Sequence, residues 1–185
     1  MGQQIVTPRG HTAFMHLFRP QPAMQEGKEA QYTVTFLWDE GDKRLAKLEA
    51  AIIEVAKEKW GDKAKGMLAK GQLRSPLRPG SDKEDTKAAE DFEGKVFLTA
   101  RSTDKPQVVD KDLESVMDQM DVYSGCVGRG DIYLFPYDKA GNRGVGAIIN
   151  SFQKLDEGER KSGRRAASDA FGGDDDEETV EDELV

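Results

Sequence analysis

The segment Gln31–Trp38, QYTVTFLW, places Tyr32, Val34, Phe36 and Trp38 on one side of an extended chain and Thr33 and Thr35 on the other. A period of two belongs to a half-buried strand, and it recurs along this chain far more often than any helical period. The stretches His11–Phe18 (ended by Pro20 and Pro22), Lys95–Arg101 and Gln107–Val109 read as strands. So does Tyr123–Tyr137, bent at Gly125, Gly128 and Gly130, and a hairpin loop at Asp138–Gly144 joins it to a partner, Val145–Phe152. One clear amphipathic helix stands against them, Lys43–Trp60, with Leu45, Leu48, Ile52, Val55 and Ala56 at spacings of three and four. Asp42 is its expected N-cap and Gly61 its stop. Leu73–Glu93 reads as a long loop holding a short helix near Thr86–Phe92, and Asp112–Met120 as one or two helical turns. The reading is mainly β, a small five-stranded barrel with one amphipathic helix rather than an alternating α/β sheet. Trp38, by strand parity, and Trp60, at the helix end, are assigned to the core.

Charge divides the chain more sharply than hydropathy does. Of the 35 acidic residues, eight lie in Asp174–Val185, which carries no base. The remaining 27 acids match 27 bases, so residues 1–173 are neutral and the net charge of -8 belongs to the tail. Three parts are therefore expected: a domain over 1–155, a flexible basic and Gly-rich linker over 156–173, and a disordered acidic tail over 174–185. An overall acidity confined to one end does not argue against a nucleic-acid partner for the body.

Catalytic chemistry is poorly represented. His11 and His16 fall on one strand with opposite parity, which points them to opposite faces and argues against a shared metal. Cys126 is the single cysteine, without a partner at metal-ligand spacing, and reads as a buried small hydrophobe in a reducing cytoplasm. No Gly-rich loop precedes a Lys-Ser/Thr pair, and Arg129-Gly130-Asp131 is a chance triplet. The expectation is a protein that is not an enzyme and needs no cofactor or metal. No apolar run approaches the roughly 20 residues of a membrane span, and the N-terminus lacks the layout of a secretory signal.

Two strands carry an unusual face. In Lys95–Arg101, Val96, Leu98 and Ala100 make an apolar side, opposite Lys95, Phe97, Thr99 and Arg101. In Arg129–Tyr137, Ile132 and Leu134 face one way, and Arg129, Tyr133, Phe135 and Tyr137 the other. Aromatic rings set among cations suit single-stranded nucleic acid, whose bases stack while its phosphates seek Lys and Arg. The competing reading is a strand buried on both faces, its aromatics filling a second core layer. The acidic tail favours the first, since a carboxylate-rich segment can mimic the DNA backbone; its tip, Leu184-Val185, is apolar, which pure solubilisation does not require.

The order of motifs resembles the phage single-stranded DNA-binding proteins, a family formerly described as a domain of unknown function. The stretches that carry the resemblance are TPRG with HLF (Thr7–Phe18), QYTVTFLW, the helix end KEKW, SPLRPG (Ser75–Gly80), KPQVVD (Lys105–Asp110), VYSGC (Val122–Cys126), YLFPYDKAGNRGVG and SFQKLDEGER. Departures from the family pattern are Pro79-Gly80 in place of an Asp-Gly, Asp39-Glu40 in place of a basic residue, and a tail that ends without an aromatic. The resemblance implies an OB-fold, ssDNA binding in DNA replication, recombination or repair, and a tail that contacts phage or host replication proteins in the host cytoplasm.

Combined with strand parity, this assigns base stacking to Phe97, Tyr133, Phe135 and Tyr137. Phosphate binding falls to Lys95, Arg101, Lys105, Arg129 and Arg143, with Arg74 and Arg78 reaching in from the long loop. Partner binding falls to Asp174, Asp175, Asp176, Glu177, Glu178, Glu181, Asp182, Glu183, Leu184 and Val185. The rival reading is a protein-interaction adaptor whose aromatic face docks a peptide; either reading leaves homo-oligomerisation open.

Overall fold

The period-two segments are strands in the computed structural model, which describes residues 2–23, 25–83, 89–161 and 171. In chain order the elements are β1 (Gln3–Val6), β2 (Gly10–Gln21), β3 (Gln31–Asp39), α1 (Ala46–Trp60), α2 (Ala64–Ala69) and β4 (Leu77–Pro79). They continue with α3 (Ala89–Phe92), β5 (Lys95–Ser102), β6 (Gln107–Val109), β7 (Val127–Lys139) and β8 (Asn142–Asp156). β7 pairs with β2, β2 with β3, β3 with β5, β5 with β8 in parallel, and β8 back with β7. Those five strands close a ring, which matches the mainly-β expectation. The short strands β1, β4 and β6 join it from outside, against β7, β5 and β8.

Parity decides what the ring encloses. Val34, Phe36 and Trp38 of β3, Leu98 and Ala100 of β5, Ile132 and Leu134 of β7 and Ile149 of β8 are buried in one core, against Leu48, Ile52 and Val55 of α1. Phe36 stacks at 6.0 Å from Trp38 and 5.9 Å from Phe152. Each of the buried Val, Leu, Ile and Phe side chains contributes about 1.5–3 kcal/mol on burial. Trp38 donates its Nε1–H to the Arg9 carbonyl at 3.1 Å, and Trp60 packs half-buried on the same core. Cys126 is buried there too, and desolvation pushes its thiol pKa up. The Asp42 side chain accepts from the Arg44 N–H and starts a 3-10 turn that runs into α1; Gly61, at φ 70°, ends the helix.

Several boundaries differ from the sequence reading. β2 runs through Pro20 to Gln21, which pairs with Gln31. The hairpin loop shrinks to Ala140-Gly141, both with positive φ (50° and 83°), the backbone a tight two-residue turn requires. Asp112–Met120 forms no helix, because the Asp110 carboxylate accepts from the Asp112 and Glu114 N–H groups at 2.9 and 3.0 Å and holds the segment in a turn. His11 lies opposite Leu37 and His16 opposite Thr33, so a bulge between them puts both histidines on one face, correcting the parity argument. No cluster of metal-ligating side chains occurs among the described residues.

The chain also stays packed beyond Asp156. Lys161 N–H donates to the Ser124 carbonyl at 2.8 Å, and the Arg160 guanidinium lies 3.9 Å over the Tyr123 ring. Glu157 accepts from Tyr123 and from Lys154; the bond to Lys154 leads in lowering its pKa. Residues 162–170 of the basic linker (with Arg164 and Arg165), residues 172–173 and the acidic tail 174–185 lie outside the described residues.

Candidate nucleic-acid interface

The outer face of β5, β7 and β8 is walled by residues 71–83, and a groove of about 970 Å³ runs between them. Backbone pairing sets the wall. Arg74 N–H donates to the Arg143 carbonyl at 3.0 Å, and Val145 N–H donates to the Arg74 carbonyl at 2.9 Å. Only glycine fits at 144, since a Cβ there would sit 2.3 Å from the Arg74 carbonyl oxygen. Farther along, β4 pairs with β5 and sets Arg78 directly opposite Phe97.

This geometry brings together Arg74, Arg78, Arg101, Phe97, Phe135 and Tyr137, all lining the groove. The three arginines are exposed. Arg78 pairs with Asp82 at 2.8 Å, a surface contact worth about 0–1 kcal/mol that a phosphate can replace. Phe135 and Tyr137 stand two residues apart on the outer side of β7, half-buried, with ring centroids 6.3 Å apart. The Phe135 ring lies on Gly146, where a Cβ would come within 2.6 Å of it. The glycine opposite leaves the space that ring occupies.

Phe97 departs from the expectation of an open ring. Parity sets it on the outer face as expected, yet it is 2% exposed. Phe92 of α3 meets it edge-on at 5.1 Å, and with Ala13 and Leu37 they form a second small apolar cluster. The cations Arg78 and Lys83 cap it at 5.5 and 5.4 Å from its centroid. β5 is buried on both faces at this point.

The other assigned residues fall elsewhere. Tyr133 continues the β7 row outside the groove, its ring against Gly2. Lys95 is paired with Asp39, directly opposite on β3, and lines a separate cavity. Lys105 borders a shallow depression with Phe18 and Met117. Arg129 donates to Gln153 at 2.8 Å, and Arg143 gives the wall its carbonyl while its side chain stays outside the lining. Sequence reasoning missed Lys83 and Gln31, which line the groove. Lys83 sits in what reads as a featureless polar loop, and no signal in the sequence marks it.

The Enterobacter phage Enc34 ssDNA-binding protein family matches residues 3–185. Putative protein p50 of Acyrthosiphon pisum secondary endosymbiont phage 1 is 28% identical over 158 residues, 84% of this chain and 85% of that protein. Among solved structures, the single-stranded DNA-binding protein from bacteriophage Enc34 in complex with ssDNA aligns with a TM-score of 0.68 at 18% identity, over 86% of this chain and 89% of that one. The single-stranded DNA-binding protein gp2.5 encoded by bacteriophage T7 aligns with a TM-score of 0.59 at 12% identity, over 96% and 97% of the two chains. At these identities the solved structures establish a shared fold, and the family match establishes kinship: the chain belongs to the Enc34 family of phage ssDNA-binding proteins.

Proposed function

We propose that this protein binds single-stranded DNA in the groove between β5, β7, β8 and the 71–83 wall, and protects transient single strands during phage DNA replication, recombination or repair. The observation that carries the reading is the convergence of Arg74, Arg78 and Arg101 with Phe135 and Tyr137 on one open surface. Rings supply faces for unpaired bases and arginines supply charge for phosphates, a division of labour suited to sequence-tolerant binding. A duplex hides its base faces and gains only the charge term, so single strands are preferred. The acidic tail 174–185 competes for the same arginines and docks replication proteins when DNA displaces it. Its Leu184 and Val185 serve docking alone, since neither carries side-chain charge.

The test is a titration with fluorescent oligo-dT against a duplex competitor over a range of salt. Contacts to about four to six phosphates should give a log-log slope near -3 to -4. Absence of saturable binding at about 50 mM salt, where such contacts are strong, would favour the adaptor reading instead.

A further inference from the structure

Phe14 is an aromatic outside both the main core and the lining of the groove. β2 advances three residues from Ala13 to His16 while β3 advances two, from Thr35 to Thr33, so β2 carries one extra residue. Thr12, opposite Phe36, is turned inward on one side of this bulge, and Met15 and Leu17 pack on the core beyond it. Alternation alone would send Phe14 inward after Thr12. The bulge sends it out instead, at φ 48°, a left-handed backbone that a bulky aromatic rarely adopts. Hydrogen bonds hold this conformation: Thr33 Oγ1 donates to the Phe14 carbonyl at 3.4 Å, and the next N–H, of Met15, donates to Ser124 Oγ at 2.9 Å. The result is a residue 44% exposed. A lone exposed apolar side chain is ordinary, but one held outward by a strained backbone points to use.

Its position points to the same use. The ring stacks on Phe92 at 5.9 Å and 23°, and Lys83 Nζ lies 5.5 Å from its centroid. The same Nζ is 5.4 Å from the Phe97 centroid, and both Lys83 and Phe97 line the groove. An alternation of cation and ring thus leads from Arg78 over Phe97 and Lys83 to Phe14. We propose that Phe14 is a base-stacking platform for the single strand where it leaves the groove past Lys83, which extends the DNA path across β2. The inference rests on the groove being the ssDNA site.

The experiment compares the wild-type chain with Phe14→Ala, Phe14→Tyr and Phe14→Trp on an oligo-dT ladder from about 4 to about 16 nucleotides. Phe14→Ala should weaken binding of the long oligonucleotides roughly tenfold and leave the shortest unchanged, and Phe14→Tyr should restore wild-type affinity. Phe14→Trp should show added fluorescence quenching with long oligonucleotides only, a readout that survives if the alanine variant folds poorly. Equal affinity of Phe14→Ala and wild type at every length, an equal loss at every length, or no added quenching in Phe14→Trp would each overturn the proposal while wild-type binding kept the groove reading intact. A wild-type protein that binds no oligonucleotide would overturn the groove reading itself.

Discussion

β5 and β7 carry the same kind of outer row, aromatics alternating among polar and basic residues, and they come to opposite ends. On β7, Phe135 and Tyr137 remain half-buried along an open groove. On β5, Phe97 has 2% of its surface left, closed in by Phe92. Strand parity settles which way a side chain points. Whether anything covers it depends on where the flanking segment comes to rest. Over β5 that segment is α3, whose four residues bring Phe92 down on Phe97. Over β7, the glycine opposite Phe135 leaves room for the ring, which stays only half-buried.

The largest expected effect breaks this comparison at β5. Phe97→Ala should cost about 3–5 kcal/mol of stability, as a lost core aromatic does, which lowers Tm by about 2–4 °C for each kcal/mol in a chain of this size. A thermal melt with little change would mean that Phe97 is not held in the second cluster. Next come Phe135→Ala and Tyr137→Ala, each expected to weaken ssDNA binding by about 1–3 kcal/mol. Their melting temperatures should fall less than that of Phe97→Ala; a larger fall would make β7 resemble β5. Gly146→Ala sharpens the same point, because its Cβ would push the Phe135 ring off the floor and weaken binding in an anisotropy titration while the chain stays folded.

Much of this fold could be read from periodicity, and the reasons for the misses are specific. β1 and β4 are too short to show alternation, and each exists because a longer neighbour, β7 or β5, offers an edge. The bulge in β2 reverses parity halfway along the strand, and this defeats any argument that carries one alternation from His11 to His16. For the site, Arg74, Arg78, Arg101, Phe135 and Tyr137 converge as strand parity and the long loop suggested. Lys95 and Arg129 do not, since parity cannot tell which end of a strand the groove reaches, nor that Asp39 waits opposite Lys95; Lys105 does not, because it lies in the loop between β5 and β6 beside a separate depression.

Smaller effects probe competition for the open region. Removing Asp174–Val185 should tighten ssDNA binding by roughly one order of magnitude at low salt, with the gain shrinking towards about 0.15 M as screening weakens the tail's contacts. Identical affinity for both chains would leave the tail a solubilising device. Asp82→Asn frees Arg78 from its ion pair and should tighten binding by at most about 1 kcal/mol. Weaker binding would mean that Asp82 orients Arg78 rather than competing for it.

The most direct test of the groove sets two groups of cations against each other. In one chain Arg74, Arg78 and Arg101 become alanine; in another, Lys105 and Arg129 do. Each phosphate contact on a single strand contributes about 0.7 to the salt slope, so the first chain should lose about 2 units of log-log slope and bind far more weakly, and the second should match wild type. Full slope in the first chain, or an equal loss in the second, would contradict the assignment of ssDNA to this groove.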